Sequence, residues 1–453
     1  MENILYLIAA VCFIFALKGL SSAESAMHGN ICGIAGMMIV GIATFMLTNH
    51  FNLVFIISII LVGGAAGICI TNAISMAALP QLMAGFHSMV GMAAVLVAYA
   101  VFLTPEIFGM IAPFGLQRSS LGEMGIGATV GAMTFSGSLL AFLKLQGICR
   151  KFNIPPALNA FLGMAMSGLL MYFVLTDGNR NAFILGTACA FVLGITLILP
   201  IGGADMPIIV SILNSLSGWT ASGIGFTLHN DLLIITGALV GASGAILSHI
   251  MCKSMNRQLW DVIFKTERKD LAERLRVSRS FKQGCPEDAA YLLRNAKTVI
   301  VIPGYGMATS QAQHALKEME EILAKFGAQI KYAIHPVAGR MPGHMNVLLA
   351  EANVSYDKVF EMDEINREFP ICDVAYVIGA NDITNPAAKK DPESPVYGMP
   401  ILDVEKAKVI LFLKRSMGPG YAGIDNELFY AANTVMLLGD AKKTTEAIIK
   451  AML

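Results

Sequence analysis

Lys297–Ala324 reads KTVIVIPGYGMATSQAQHALKEMEEILA. Its β-branched run Thr298-Val299-Ile300-Val301-Ile302 predicts a buried strand. The run breaks at Pro303-Gly304-Tyr305-Gly306-Met307-Ala308. After it, Ala312, Ala315, Leu316, Met319, Ile322 and Leu323 recur at helical spacing and predict a helix over 309–325. Strand, glycine turn and helix is the setting in which Gly-x-Gly-x-x-Ala binds a dinucleotide. Gly304 permits the tight turn, Gly306 lets the backbone approach a pyrophosphate, and Ala308 lets the helix sit close to its strand. The N–H groups at the helix start are expected to face the phosphates. A purely structural strand-to-helix turn is the other reading.

Downstream, strands at 329–334, 358–361, 374–378, 409–414 and 434–438 alternate with helices at 343–352 and 363–368. That alternation predicts a Rossmann-like α/β domain built on a doubly wound parallel sheet, with ligand sites at the carboxyl ends of its strands. Those ends carry His335 to Gly343, then Gly379-Ala380-Asn381-Asp382, then Lys414-Arg415-Ser416-Met417-Gly418. The second strand ends at His335, without the acid that accepts from an NAD ribose. Two cations and a hydroxyl at 414–416 suit a 2′-phosphate, which favours NADP over NAD; a solvated strand end is the alternative. The domain shows no catalytic triad and no convincing metal set, so a bound cofactor supplies the chemistry.

The rest of the chain has a different solvent. Of 453 residues 55% are hydrophobic and 14% charged, with mean hydropathy +0.63, and the charge is concentrated in the last 200 residues. This composition indicates a membrane protein, and a net charge of zero gives no electrostatic case for nucleic acid. Nine apolar stretches approach the ~20 residues a span needs: 3–20, 30–48, 51–71, 83–104, 122–143, 155–175, 181–201, 206–227 and 230–252. The first lacks a cleavage site and is a retained span. Short connections such as Asn49-His50 and Ile201–Ala204 make neighbouring spans antiparallel. Lys18, Lys144, Arg150, Lys151, Lys253 and Arg257 fall on one side, against Arg118 and Arg180 on the other, so the polar C-terminal domain is expected in the cytoplasm or an organelle matrix. The expected organisation is a membrane domain over 1–252, a charged helical linker over 253–284 (Lys265, Glu267, Arg268, Lys269, Asp270, Glu273, Arg274, Arg276) and the nucleotide domain over 285–453, its core beginning near Lys297.

Eight scattered cysteines without a C-x-x-C pair read as small buried hydrophobes. Glycine-rich spans read as close helix packing. Thr129-Val130-Gly131-Ala132 mimics part of a potassium filter but lacks its pore helix and its tyrosine-glycine. Histidine as a residue type titrates near neutral pH, so His87 is the intramembrane side chain suited to carrying a proton, with a satisfied cross-helix bond as the alternative. Asn214 could bond to His87 or line a water path, and Asp205 at the cytoplasmic end of span eight is a proton exit or an interfacial cap. Glu123, His229 and Asp231 fall at the outer boundary, where solvation accounts for them.

Gly304-Tyr305-Gly306-Met307-Ala308, Val337-Ala338-Gly339-Arg340-Met341-Pro342-Gly343, Gly379-Ala380-Asn381-Asp382, Lys414-Arg415-Ser416-Met417 and Gly439-Asp440-Ala441-Lys442, in this order, resemble the beta subunits of proton-translocating NAD(P) transhydrogenases. The resemblance covers the whole chain; one departure is Ile383-Thr384, where a threonine-valine type pair is expected. It implies hydride transfer between NAD(H) and NADP(H) coupled to proton movement, with NADP(H) on this chain in a flipped orientation. It further implies an alpha subunit that holds NAD(H), an alpha2-beta2 complex and, for a separate beta chain, a bacterial inner membrane. Tyr305 and Val337–Pro342 would contact the cofactor and Lys414, Arg415 and Ser416 its 2′-phosphate. Gly420-Tyr421 would fold over as a lid, Asp382 would lie near the nicotinamide, and His87 and Asn214 would serve proton passage. The readings set beside it are a channel or transporter gated by a nucleotide-sensing domain, and a membrane-anchored dehydrogenase.

Overall fold

The computed structural model describes residues 2–19, 25–47, 53–106, 111–112, 115–116, 118–149, 152–202, 205–256, 258–264, 280–341, 343–394, 396–420 and 422–453. Pro342, Tyr421, Arg150, Lys151, Arg257, the turns at Asn49-His50 and Gly203-Ala204, and linker residues 265–279 lie outside these. The chain forms two compact units, Met1–Pro200 with Val210–Ile246, and Ile201–Ile209 with Leu247–Leu453.

Among the described residues the apolar half contains nine long helices: α1 (Glu2–Gly19), α2 (Ala26–Leu47), α3 (Leu53–Ala73), α4 (Leu79–Leu103), α5 (Arg118–Leu145), α6 (Pro156–Leu175), α7 (Arg180–Ile198), α8 (Met206–Thr227) and α9 (Asp231–Ser254). Seven are long and apolar enough to cross a membrane, while α1 and α3 contribute the shorter apolar stretches Ile4–Gly19 and Ile57–Ala73. Large apolar side chains on α1, α2, α3 and α6 remain exposed, as in a bundle whose outer solvent is lipid.

Helix α5 is the centre of this unit. It packs against α4, α6 and α7, and small residues set how close it comes. A Cβ on Gly131 would lie 2.9 Å from both the Ala94 Cβ and the Gly91 carbonyl oxygen, and one on Gly223 of α8 would lie 3.0 Å from the Gly127 Cα. With so little side chain between them, van der Waals contact runs backbone to backbone. Tyr99, Phe102, Phe173 and Phe183 fill one end, with Phe183 about 5 Å from the other three rings. The filter-like Thr129–Ala132 lies inside continuous α5, where Thr129 Oγ1 donates to the Gly125 carbonyl at 2.9 Å. The cysteines are all free thiols, but only Cys252 and Cys372 are buried within the chain, and Cys69 and Cys285 are exposed.

The second unit is built on six parallel strands, β1 (Thr298–Pro303), β2 (Gln329–Ile334), β3 (Val359–Glu361), β4 (Val374–Ile378), β5 (Val409–Lys414) and β6 (Thr434–Leu438). Their order across the sheet is β3-β2-β1-β4-β5-β6, the doubly wound arrangement of dinucleotide folds. Ile300, Val301, Ile302, Ala375, Tyr376, Val377, Leu411 and Phe412 are buried to within a few per cent, so the central strands read as continuous apolar runs. At their amino ends the Asp373 carboxylate accepts from the Lys297 and Thr298 N–H groups and from Lys408 Nζ. Lys408, ahead of the backbone donors, holds this carboxyl down at about 2.

Two helix boundaries differ from expectation. Ahead of Lys297 the chain is already tied to the sheet. Gly284 N–H donates to the Met436 carbonyl at 3.0 Å and Met436 N–H to the Lys282 carbonyl at 2.8 Å, flanking the outer strand β6. Just after this bridge, α10 (Pro286–Arg294) packs on the C-terminal helix Ala441–Met452. The predicted helix over 309–325 is two helices, α11 (Tyr305–Ser310) and α12 (Gln313–Lys325), separated by Gln311 at φ +54°. The first begins inside the glycine motif, because Tyr305 through Ser310 already have helical geometry. The helix predicted over 363–368 is the shorter Met362–Ile365.

Candidate functional site

The carboxyl ends of β1 and β4 meet where the strand order reverses, the place at which open α/β sheets bind ligands. Gly304 N–H donates to the Ile378 carbonyl and Gly306 N–H to the Gly379 carbonyl, each at 2.9 Å. A Cβ on Gly304 would lie 2.5 Å from the Ala380 Cα, and one on Gly306 would lie 2.6 Å from the Gly379 Cα. Gly379 itself has φ +68°, in the region only glycine adopts freely. The glycines therefore interlock two turns. This corrects the expectation that the helix start presents its N–H groups outward: Gly306 N–H is taken by Gly379, and Met307 N–H by the Gly304 carbonyl at 3.0 Å. Met307 and Ala308 are fully buried, so their side chains belong to the core.

After β2 the chain forms a loop that ends at α13 (His344–Glu351). His335, 1% exposed, anchors its start: Nδ1 accepts from the Val337 N–H at 3.2 Å, and Nε2 lies 2.8 Å from the Pro400 carbonyl. A nitrogen that accepts carries no proton, so the ring is neutral with its hydrogen on Nε2. Burial agrees, lowering its pKa to about 4. His344, also fully buried, repeats the pattern by accepting the Arg340 N–H on Nδ1 at 3.0 Å. Its pKa is likewise lowered to about 4, by burial and then by Arg340. Gly339 sits at φ +104°, and a Cβ there would strike the His344 ring. The Arg340 guanidinium lies 4.3 Å over the Tyr305 ring, a cation–π contact. Tyr305, Val337, Gly339, Arg340 and Met341 are thus half-buried around one loop, while Ala338 is buried.

The third group surrounds β4 and β5. Asp382 Oδ2 accepts from the Ala422 N–H at 3.0 Å, and Gly420 packs so closely on Asn381 and Asp382 that it has no space for a Cβ. The described part of the expected lid therefore lies folded on the β4 turn. Lys414 Nζ donates to the Gly418 carbonyl and sits 4.6 Å over the Phe429 ring. Burial lowers its pKa, against the pull of Asp382 and Asp425. Lys414 therefore turns inward, whereas Arg415 and Ser416 are exposed and Arg415 lies 3.8 Å from Asp440. Gly439 N–H donates to the Lys414 carbonyl at 3.0 Å, and Asp440 caps the C-terminal helix through the Lys443 N–H at 3.2 Å. Sequence reasoning missed Asn426, Asn385 and Phe429. Asn426 is fully buried and donates to both the main chain and side chain of Asn381, and only the tertiary fold shows this.

In the membrane unit, His87 lies on the buried face of α4 with Ala84, Ser88, Gly91, Ala94 and Ala98. Its Nε2 is buried and has no hydrogen-bond partner among the described residues. It does not bond to Asn214, which is half-buried on α8. Asp205, half-buried, immediately precedes α8.

Residues 2–451 match the family described as NAD(P) transhydrogenase beta subunit. A protein from Rhodospirillum rubrum named NAD(P) transhydrogenase subunit beta is 56% identical over 455 residues, covering 99% of this chain and 98% of the relative. A second sequence of the same name, from a strain of that species, matches to the same extent.

Proposed function

The chain belongs to the NAD(P) transhydrogenase beta-subunit family, and we propose on that basis that it is the NADP(H)-holding, proton-conducting half of a hydride-transferring membrane enzyme. As a beta subunit of an oxidoreductase it works with an alpha subunit. In our reading the partner holds NAD(H), the complex is alpha2-beta2 in a bacterial inner membrane, and the C-terminal domain faces the cytoplasm. Residues 1–252 carry protons, 253–284 connect, and 285–453 bind nucleotide.

The observation that carries this reading is the interlock of Gly304, Gly306 and Gly379 at the switch point of the sheet, ringed by Asn381, Asp382 and Lys414. The donors around it fit a dinucleotide: exposed Arg415 and Ser416 suit a 2′-phosphate, and Tyr305 with Arg340 offers a ring face and a cation. Bound NADP(H) supplies the hydride chemistry. The residues of this chain hold and orient it, with Ala338, Gly339 and Met341 shaping the loop after β2 and Gly418, Gly420 and Asp382 the strap after β5.

Because exchange between two nicotinamides is nearly balanced, something must drive it. One charge crossing 100 mV is worth about 2.3 kcal/mol, roughly a fortyfold change in an equilibrium. Protonation at His87, with Asn214 and Asp205 along the path, shifts which conformation of the nucleotide site is stable. The test uses both subunits in sealed vesicles, following reduction of an NAD analogue by NADPH beside a pH dye. His87→Ala is expected to abolish coupled proton movement while NADPH binding survives. Unchanged proton movement removes His87 from the path.

A further inference from the structure

We propose that Asn426 is a positioning residue that sets the Asn381 amide so that Nδ2 is presented as a donor to an oxygen acceptor of the bound dinucleotide. The proposal rests on the reading of this domain as the NADP(H) site.

The orientation follows from backbone groups whose donor and acceptor roles are fixed. Asn426 caps the turn Glu427–Tyr430, and the Leu428 N–H donates to its Oδ1 at 3.0 Å. That N–H requires an acceptor, so the amide oxygen of Asn426 faces Leu428 and Nδ2 points the other way. There Nδ2 lies 3.1 Å from the Asn381 carbonyl oxygen, 3.1 Å from Asn381 Oδ1 and 3.5 Å from Thr384 Oγ1. Nδ2 can only donate, so the atom of Asn381 that meets it must be the oxygen. Asn381 Nδ2 is consequently turned away, buried, and without a partner among the described residues. A buried amide donor left unmatched is unfavourable.

Three features link that donor to ligand rather than to packing. It sits on the turn after β4, at the switch point. It lies under Gly420, on the strap that also bonds Asp382 through the Ala422 N–H. Asn426 fixes the amide that lies beneath this strap, so a nucleotide acceptor that enters between strap and turn meets an N–H already aimed.

Asn426→Asp tests this with one atom exchanged. The carboxylate introduced by that change still accepts from the Leu428 N–H but offers an oxygen to Asn381, whose amide then turns its nitrogen inward and its oxygen outward. NADPH binding to the purified complex is read by nucleotide fluorescence, beside the thermal midpoint. The expected result is roughly 10- to 100-fold weaker binding in N426D and in N381A, with the double variant no weaker than N381A, since Asn426 acts through Asn381. Wild-type affinity in folded N426D, or losses that multiply in the double variant, overturn the proposal. Arg415→Ala separates this from failure of the site itself. If R415A weakens NADPH and N426D does not, the proposal alone fails; if neither changes it, the nucleotide reading fails with it.

Discussion

At His335 two main-chain groups decide the charge of a ring. The Val337 N–H needs an acceptor and the Pro400 carbonyl needs a donor, and only the neutral Nε2–H tautomer serves both. Burial lowers the folded pKa from 6.5 to about 4, so the stability this adds is present above pH 6.5 and is lost as pH falls through about 4. The difference corresponds to roughly 3–4 kcal/mol. The urea midpoint of a 280–453 fragment is expected to drop steadily from pH 6.5 to 4. His335→Gln should flatten that decline, leaving the share of His344, whose pKa is lowered the same way. The Asp373 carboxyl, held at about 2, titrates below this window. An unchanged slope in His335→Gln would show that this ring is not neutral in the folded state.

Among the elements, α5 gives a direct contrast of sign. Gly131 and Gly122 lie on the same helix, yet a Cβ on Gly131 would sit 2.9 Å from Ala94 and Gly91, whereas one on Gly122 meets nothing within 4 Å. Gly131→Ala should force α4 and α5 apart and destabilise by about 1–3 kcal/mol. Gly122→Ala should be neutral or stabilising by up to about 1 kcal/mol, because alanine is the better helix former. Thermal midpoints of the detergent-solubilised complex decide between these outcomes, and equal effects would refute the backbone-to-backbone crossing. The same reasoning explains why glycine-rich spans could be read as packing from sequence, although which glycines touch could not. Gly63 and Gly67 on α3 look like Gly131 in sequence, yet a Cβ on either would meet nothing within 4 Å among the described residues.

Over the whole molecule, what was legible followed from periodicity and what was not followed from tertiary contact. The six strands coincide with their expected bounds to within a residue, because runs such as Val409–Leu413 are apolar throughout and stop at charged or glycine residues. The break at Gln311 carried no signal, since glutamine in the left-handed region is held there by its surroundings. The inward turn of Lys414 depends on Phe429, from the segment that leads into β6, and the site around Asn381 depends on Asn426 in the same way. At the head of the domain expected over 285–453, α10 is polar on its outer face, yet Ala289 and Leu293 are fully buried and Ala290 is 3% exposed, while the tie of Lys282 and Gly284 to Met436 carried no signal in the sequence. Burying one leucine and two alanines contributes about 3–4 kcal/mol, against a net stability of roughly 5–15 kcal/mol for a domain. A fragment starting at Phe281 should therefore unfold cooperatively, while one starting at Lys297 should lose much of that stability and expose the outer edge of β6, with aggregation the expected consequence. Comparing urea midpoints and sedimentation of the two fragments tests this. Equal stability would mean that α10 and the Lys282–Gly284 bridge only rest on the domain, and that the fold is complete from β1 onward.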